Sequence, residues 1–220
     1  MIEFAASEEA KSVLGYDPST VPGTIFCKSC AAFGDLGSRL ESHVFNYVFD
    51  GFLIPASKWA NSMCYYRTTE ESEELPMNES FRLAVSGLFD RLAQVKPVLH
   101  PTRFDFLFGK LLAEKLASYL FSAVLLKNFF HERGAVRFSH DIQFLKGKLD
   151  ESLHHYFGKV EESCRLLMLK ERDPTAPFDA SRLSKTLKEG RVEEIKRFLE
   201  LERYSHVTIK DLPQIFASKR

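Results

Sequence analysis

The stretch from Phe104 to Phe130 constrains this chain most. Phe104, Leu107, Phe108, Leu111, Leu112, Leu116, Tyr119, Leu120 and Val124 recur at three- and four-residue steps and cover more than one face of a helix. A helix that is apolar nearly all round belongs at the centre of a packed structure, with other helices around it. Thr102-Arg103-Phe104-Asp105 reads as its capping box, with Asp in place of the usual Glu. Ser118, Ser122, Lys127 and Asn128 interrupt its most apolar part, which is too short and too polar to span a bilayer.

The neighbours of that helix follow from the same periodicity. A short helix over residues 3–14 ends at Gly15, and Tyr16-Asp17-Pro18 and Val21-Pro22-Gly23 punctuate the loop after it. From Ile25 to about Tyr66 the pattern is helical, with Phe33, Leu36, Leu40, Val44, Tyr47 and Val48 on one side. Gly34, Gly37 and Gly51 weaken this run, and Pro55 should break or kink it before Trp59, Met63 and Tyr66. Residues 67–79, RTTEESEELPMNE, form a solvated acidic loop. Asn78 caps the next helix, whose Phe81, Val85, Leu88, Leu92 and Val95 make a narrow 4-3-4-3 seam ended by Pro97 and Pro101.

Beyond the central run, His131-Glu132-Arg133-Gly134 marks a helix end, since Gly134 takes positive φ without steric cost. Phe138-Ser139-His140-Asp141 then opens a helix, with Ser139 as cap and Asp141 at the positive end. Helices around Ile142–Tyr156 and Val160–Leu169 follow. Asp173-Pro174 and Ala176-Pro177 form a loop. Asp179 caps a helix holding Leu183 and Leu187, and Gly190 ends it. Val192–Leu201 and Ile209–Phe216 close the chain. No segment alternates with a period of two and β-branched residues, so no strand is expected. The expectation is all-α: a stacked antiparallel helical bundle forming one domain over residues 1–220. The chain opens where a helix is already under way, which reads as the C-terminal part of something longer.

Composition narrows the function. Lys+Arg and Asp+Glu are both 30, so no global field draws in nucleic acid or an acidic membrane. Between Arg182 and Arg220, ten basic residues face six acidic ones, a mixed surface unlike a phosphate-tracking stripe. Phe occurs 20 times, which suits an extended helical core or a partner groove. Cys27, Cys30, Cys64 and Cys164 read as reduced thiols of a cytosolic protein, and the N-terminus is no signal peptide.

The chemistry candidates are sparse. Cys27-Lys28-Ser29-Cys30 is a Cys-x-x-Cys, yet no strand precedes it and no second pair completes a zinc site. His43, His100, His131, His140, His154, His155 and His206 include no His-x-x-x-His pair. His154 and His155 point to different helix faces. There is no phosphate loop, dinucleotide turn or nucleophile elbow. Neither a catalytic, a cofactor-binding nor a metal residue is assigned, and the partner-binding residues stay open.

Against that background, an apolar helix ending LLKNFFHERGA, then RFSHDIQFL, then YFGKVEESCRLLML resembles the C-terminal region of the RINT/Tip-type subunits of the endoplasmic-reticulum tethering complex (the Dsl complex, called NRZ in animals). Asn128 and Phe130 match that family's Asn-x-Phe helix end, and Gly134 its turn. Phe138 and Asp141 match its Phe-x-x-Asp helix start, and Glu162-Ser163-Cys164 its acidic-Ala/Ser-Cys signature. The family usually has two glycines in the turn, where this chain has Gly134-Ala135. Trp59 matches a family tryptophan and Leu201–Phe216 resembles the closing helix pair, so the likeness runs thinly through most of residues 33–216. Exocyst and Golgi COG subunits end in similar bundles.

The resemblance implies a rod of stacked helical bundles that holds a retrograde vesicle near the endoplasmic reticulum. Its partners would be tether subunits and endoplasmic-reticulum SNARE proteins, met on helical surfaces. It implies no catalytic residue and no cofactor, and a cytoplasmic protein held at the membrane through partners. Two readings from other classes stand beside it: a small helical enzyme or redox protein using Cys27 and Cys30, and a helical domain that binds anionic lipid.

Overall fold

A computed structural model describes residues 25–60, 77–173, 175 and 178–219, and every regular element among them is helical. The helices are α1 (Ile25–Ala60), α2 (Glu79–Val95), α3 (Pro101–Asp105), α4 (Leu112–Tyr119), α5 (Glu132–Lys146), α6 (Gly158–Leu167), α7 (Ala180–Lys188), α8 (Val192–Leu201) and α9 (Leu212–Ala217). Two π-helical segments, Phe106–Leu111 and Leu120–Leu125, flank α4, so α3 to the second π segment is one continuous helix. A 3-10 helix, Glu151–Phe157, precedes α6. The expected helix over 3–14, the loops before Ile25, most of the acidic loop, and Cys64, Pro174, Ala176 and Pro177 lie outside the described residues.

The chain divides into two compact units, residues 1–47 and 48–220. In the first, the described part is α1 as far as Tyr47. There the sequence places Phe33, Leu36, Leu40 and Tyr47 on one seam, but each is about half exposed. The same helix then supplies buried Val48, Phe49, Phe52, Ala56 and Trp59 to the second unit. Pro55 sits inside α1 without breaking it, four residues after Gly51.

The core of the second unit is aromatic. Trp59 lies 4.8 Å from Phe81 and 6.2 Å from Phe138, and Phe138 lies 5.4 Å from Phe130. Phe52 meets Phe81 at 6.2 Å and Tyr119 at 5.9 Å, both edge to face. Each such pair adds about 0.5–1.5 kcal/mol beyond the area it buries, so rings from α1, α2, α4 and α5 hold four helices together. At the α1–α2 crossing the backbones touch. A Cβ on Gly51 would stand 2.6 Å from the Gly87 carbonyl, and one on Gly87 2.6 Å from that of Gly51.

The central helix is buried through Leu107, Phe108, Leu112, Ala113, Leu116, Ala117, Leu120 and Val124. It keeps one wet side, where Phe106 is 53% exposed. It ends at Leu125 rather than Phe130. Asn128 stops it, donating its side-chain amide at 2.8 Å to the carbonyls of both Val124 and Ala60. Its start also differs from the capping-box expectation. Pro101 takes the first helical position, where a missing N–H costs nothing, and no side chain caps it.

The turn expected at Gly134 moves upstream. Gly134 lies inside the first turn of α5, buried, and its N–H donates to Nδ1 of the cap residue His131 at 3.2 Å. Ser139 and Asp141 are therefore interior to α5 rather than at its start. Asp141 is fully buried and accepts the Asn78 N–H at 3.2 Å, tying α5 to the start of α2. The helix expected through Tyr156 stops at Lys146 and resumes as the 3-10 turn. The caps at Asn78 and Asp179 hold as read, each accepting first-turn amides. Gly190 ends the α7 turn at φ 68°.

Candidate functional site

Burial decides most of the chemistry-bearing residues. Cys164 is 1% exposed, and burial pushes its thiol well above the ordinary range, so it is a core residue and no thiolate nucleophile. Cys27 and Cys30 are half-buried at i and i+3 on α1. His154 Nε2 pairs with the Lys146 carbonyl at 2.8 Å, and His155 Nδ1 with that of Ser152 at 2.7 Å, so both bind local backbone. Among the described residues no three His, Cys, Asp or Glu side chains gather as a metal set.

One constellation imitates catalysis. Glu162, His206 and Ser205 stand together, with His206 Nδ1 at 2.9 Å from the Glu162 carboxylate and 3.0 Å from Ser205 Oγ. A hydrolytic triad needs the serine on one ring nitrogen and the acid on the other. Here both face Nδ1, and Ser205 Oγ also donates to Glu162 at 3.1 Å. Serine and acid therefore compete for one ring nitrogen, which is not the geometry of a triad.

What the cluster does is hold backbone. Glu162 is 4% exposed on α6, and its carboxylate accepts the N–H groups of Ser205 (2.8 Å), His206 (2.8 Å) and Val207 (2.7 Å). Burial would raise the carboxyl. The three amides and the His206 ring outweigh it and hold the group at about 2. Around this anchor, Arg165 stacks on Tyr204 at 4.5 Å, and Lys159 pairs with Asp211 at 2.7 Å while lying over Phe121 at 4.4 Å. A Cβ on Gly158 would meet the His206 ring at 2.5 Å. Sequence reading quotes Glu162 only within a signature, because its partners lie more than forty residues on and leave no periodic trace.

Among the described residues, two recesses lie along α2. One recess of about 380 Å³ lies between Val85 and Phe89 of α2 and Phe144 and Lys148 at the end of α5. A second, of about 430 Å³, lies between Phe89 and Leu92, the stretch Phe104 to Gly109, and Leu149 and Leu153. They share Phe89 and Lys148, so the two recesses lie side by side, each with an apolar floor and charged residues on its rim. Val85 and Leu92 lie on the seam visible in the sequence, whereas Phe89 and the opposing wall, which comes from separate segments, do not. No helix of the described residues is long and apolar enough to cross a membrane.

Set against known proteins, the sequence model of the RINT-1/TIP-1 family matches residues 4–217. No solved structure matches the chain.

Proposed function

The chain belongs to the RINT-1/TIP-1 family, and on that premise we propose that it is a non-catalytic tethering subunit acting in Golgi-to-endoplasmic-reticulum retrograde transport. The family carries involvement in tethering between the endoplasmic reticulum and the Golgi, and partners among tether subunits. The finer reading adds direct contact with endoplasmic-reticulum SNARE proteins within a Dsl/NRZ-type complex, and peripheral placement at that membrane through those partners. The observation that carries it is the family match, which extends over nearly the whole chain. The architecture agrees: helices packed on an aromatic core, and a Glu-His-Ser cluster that holds backbone instead of moving protons.

Affinity capture of the protein from cell lysate followed by mass spectrometry tests this. Endoplasmic-reticulum SNAREs and tether subunits are the expected co-purifying proteins. Recovery of exocyst or Golgi COG subunits in their place would overturn the assignment. Deleting residues 180–220 and finding every such contact unchanged would exclude α7 to α9 as the contact surface.

A further inference from the structure

We propose that Cys27 and Cys30 form a reversible disulfide within α1, a redox-sensitive switch whose oxidant is a small-molecule disulfide of the glutathione class. The inference is independent of the tethering role.

Helix geometry brings the two thiols within reach of each other without seating them in a bond. Cys27 and Cys30 stand three residues apart on α1. Such a pair has Cα atoms about 5 Å apart, inside the span that a disulfide bridges. The Cβ atoms, however, stand about 5–6 Å apart, and a disulfide holds them at about 3.5–4.5 Å. Closing the bond therefore tightens the turn by about 1–2 Å. A 3-10 turn, in which residues i and i+3 eclipse, supplies that approach. The oxidised form gives up α geometry between the two cysteines, and a bond strained in this way is the readily reduced kind. It responds to a change of redox poise and does not staple the fold.

Access separates this pair from Cys164, which is 1% exposed in the core. Cys27 and Cys30 are both half-buried. The side chains around them are small: Ser29, Ala31 and Ala32 are exposed. Nothing lies within 4 Å of where a Cβ would stand on Gly34, one turn beyond Cys30. Lys28 is the only charged residue between Ile25 and Gly34, so an oxidant carrying carboxylates meets a cation and no acid in that stretch. Among the described residues no three His, Cys, Asp or Glu side chains gather as a metal set. The pair therefore lacks, among those residues, the further ligands that a zinc site takes.

The chemistry is thiol–disulfide exchange. One cysteine thiolate attacks a sulfur of oxidised glutathione, whose S–S bond breaks and releases one glutathione thiolate. The second cysteine thiolate attacks the mixed disulfide and releases the other. Two cysteine thiols are oxidised, one glutathione disulfide is reduced to two thiols, and the protons lost by the cysteines pass to them.

The test equilibrates the purified full-length protein in buffers graded from reduced to oxidised glutathione, quenches with acid and alkylates with N-ethylmaleimide. Cleavage at Asp and Glu leaves both cysteines in one peptide for mass spectrometry. The expected peptide passes from doubly alkylated to unalkylated and two hydrogens lighter, while Cys164 stays alkylated. In the oxidised protein, backbone amides from Cys27 to Gly34 exchange with deuterium about tenfold faster, as a strained turn opens more often, and those of the aromatic core do not change. Cys27→Ser removes the second attacking thiol, so Cys30 then retains a glutathione adduct in the same buffers. Both thiols still alkylated at the oxidised end, a glutathione adduct that persists in the parent, or a link between two copies overturns the proposal. So does an internal disulfide that leaves the exchange of residues 27–34 unchanged, since the bond would then switch nothing.

Discussion

Glu162 shows how one side chain can organise a region without catalysing anything. Three backbone amides converge on a carboxylate that is 4% exposed, so removing its charge leaves buried donors facing a poorer acceptor. Glu162→Gln should cost about 2–3 kcal/mol, since hydrogen bonds to a charged group are the stronger class, and lower the melting temperature by roughly 4–12 °C. The pH dependence has a definite sign. The folded carboxyl lies at about 2 against an ordinary 4.5. Its contribution is therefore complete above pH 4.5 and lost as the pH falls through 2. The stability gap between parent and Glu162→Gln, read from urea midpoints, should be constant above about pH 5 and close toward pH 2. A gap that widened on acidification would reverse the assignment.

At the scale of helices, the all-α class and several boundaries were readable because they rest on local chemistry. The Asn78 and Asp179 caps and the Gly190 stop each need only neighbours within three residues. The boundary after the central helix differs from the sequence expectation because its signals are tertiary. Asn128 stops the helix by reaching back to Ala60, and Asp141 looks like a cap yet pairs with a residue 63 positions away. Gly134 looks like a stop and is a buried packing residue under a histidine cap. The seam through Phe33, Leu36 and Leu40 has the right period yet stays about half exposed, since periodicity names a face and not what covers it.

Glycine tests this distinction. Gly87→Ala puts a methyl 2.6 Å from a backbone carbonyl at the α1–α2 crossing, so the helices must separate. The expected loss is about 1–3 kcal/mol, the usual cost of overpacking. Gly109→Ala meets nothing and should gain about 0.5–1 kcal/mol. Thermal unfolding of the two variants should move in opposite directions.

For the molecule as a whole, the family and its helical class were open to a reader of the sequence, while the surfaces were not. The apolar residues of the two α2 recesses look identical to core residues in the sequence. Only the fold leaves Phe89, Leu92 and Phe144 half-buried around these recesses. The far end of the chain is another such case. The Phe130 N–H donates to the Ser218 carbonyl at 2.7 Å, and Lys219 Nζ donates to the carbonyls of Leu167 (2.7 Å) and Leu169. Removing residues 218–220 should cost about 2–3 kcal/mol, two to three hydrogen bonds' worth, measurable as a lower urea midpoint with an unchanged slope.

That closure also has a mechanical meaning. The tethering role proposed for the chain would place it under tension. A pull on Lys219 would pass first into the end of α6 and the residue beside Asn128, through main-chain and lysine hydrogen bonds. α7 and α8, which lie between those points in sequence, would be bypassed by the load.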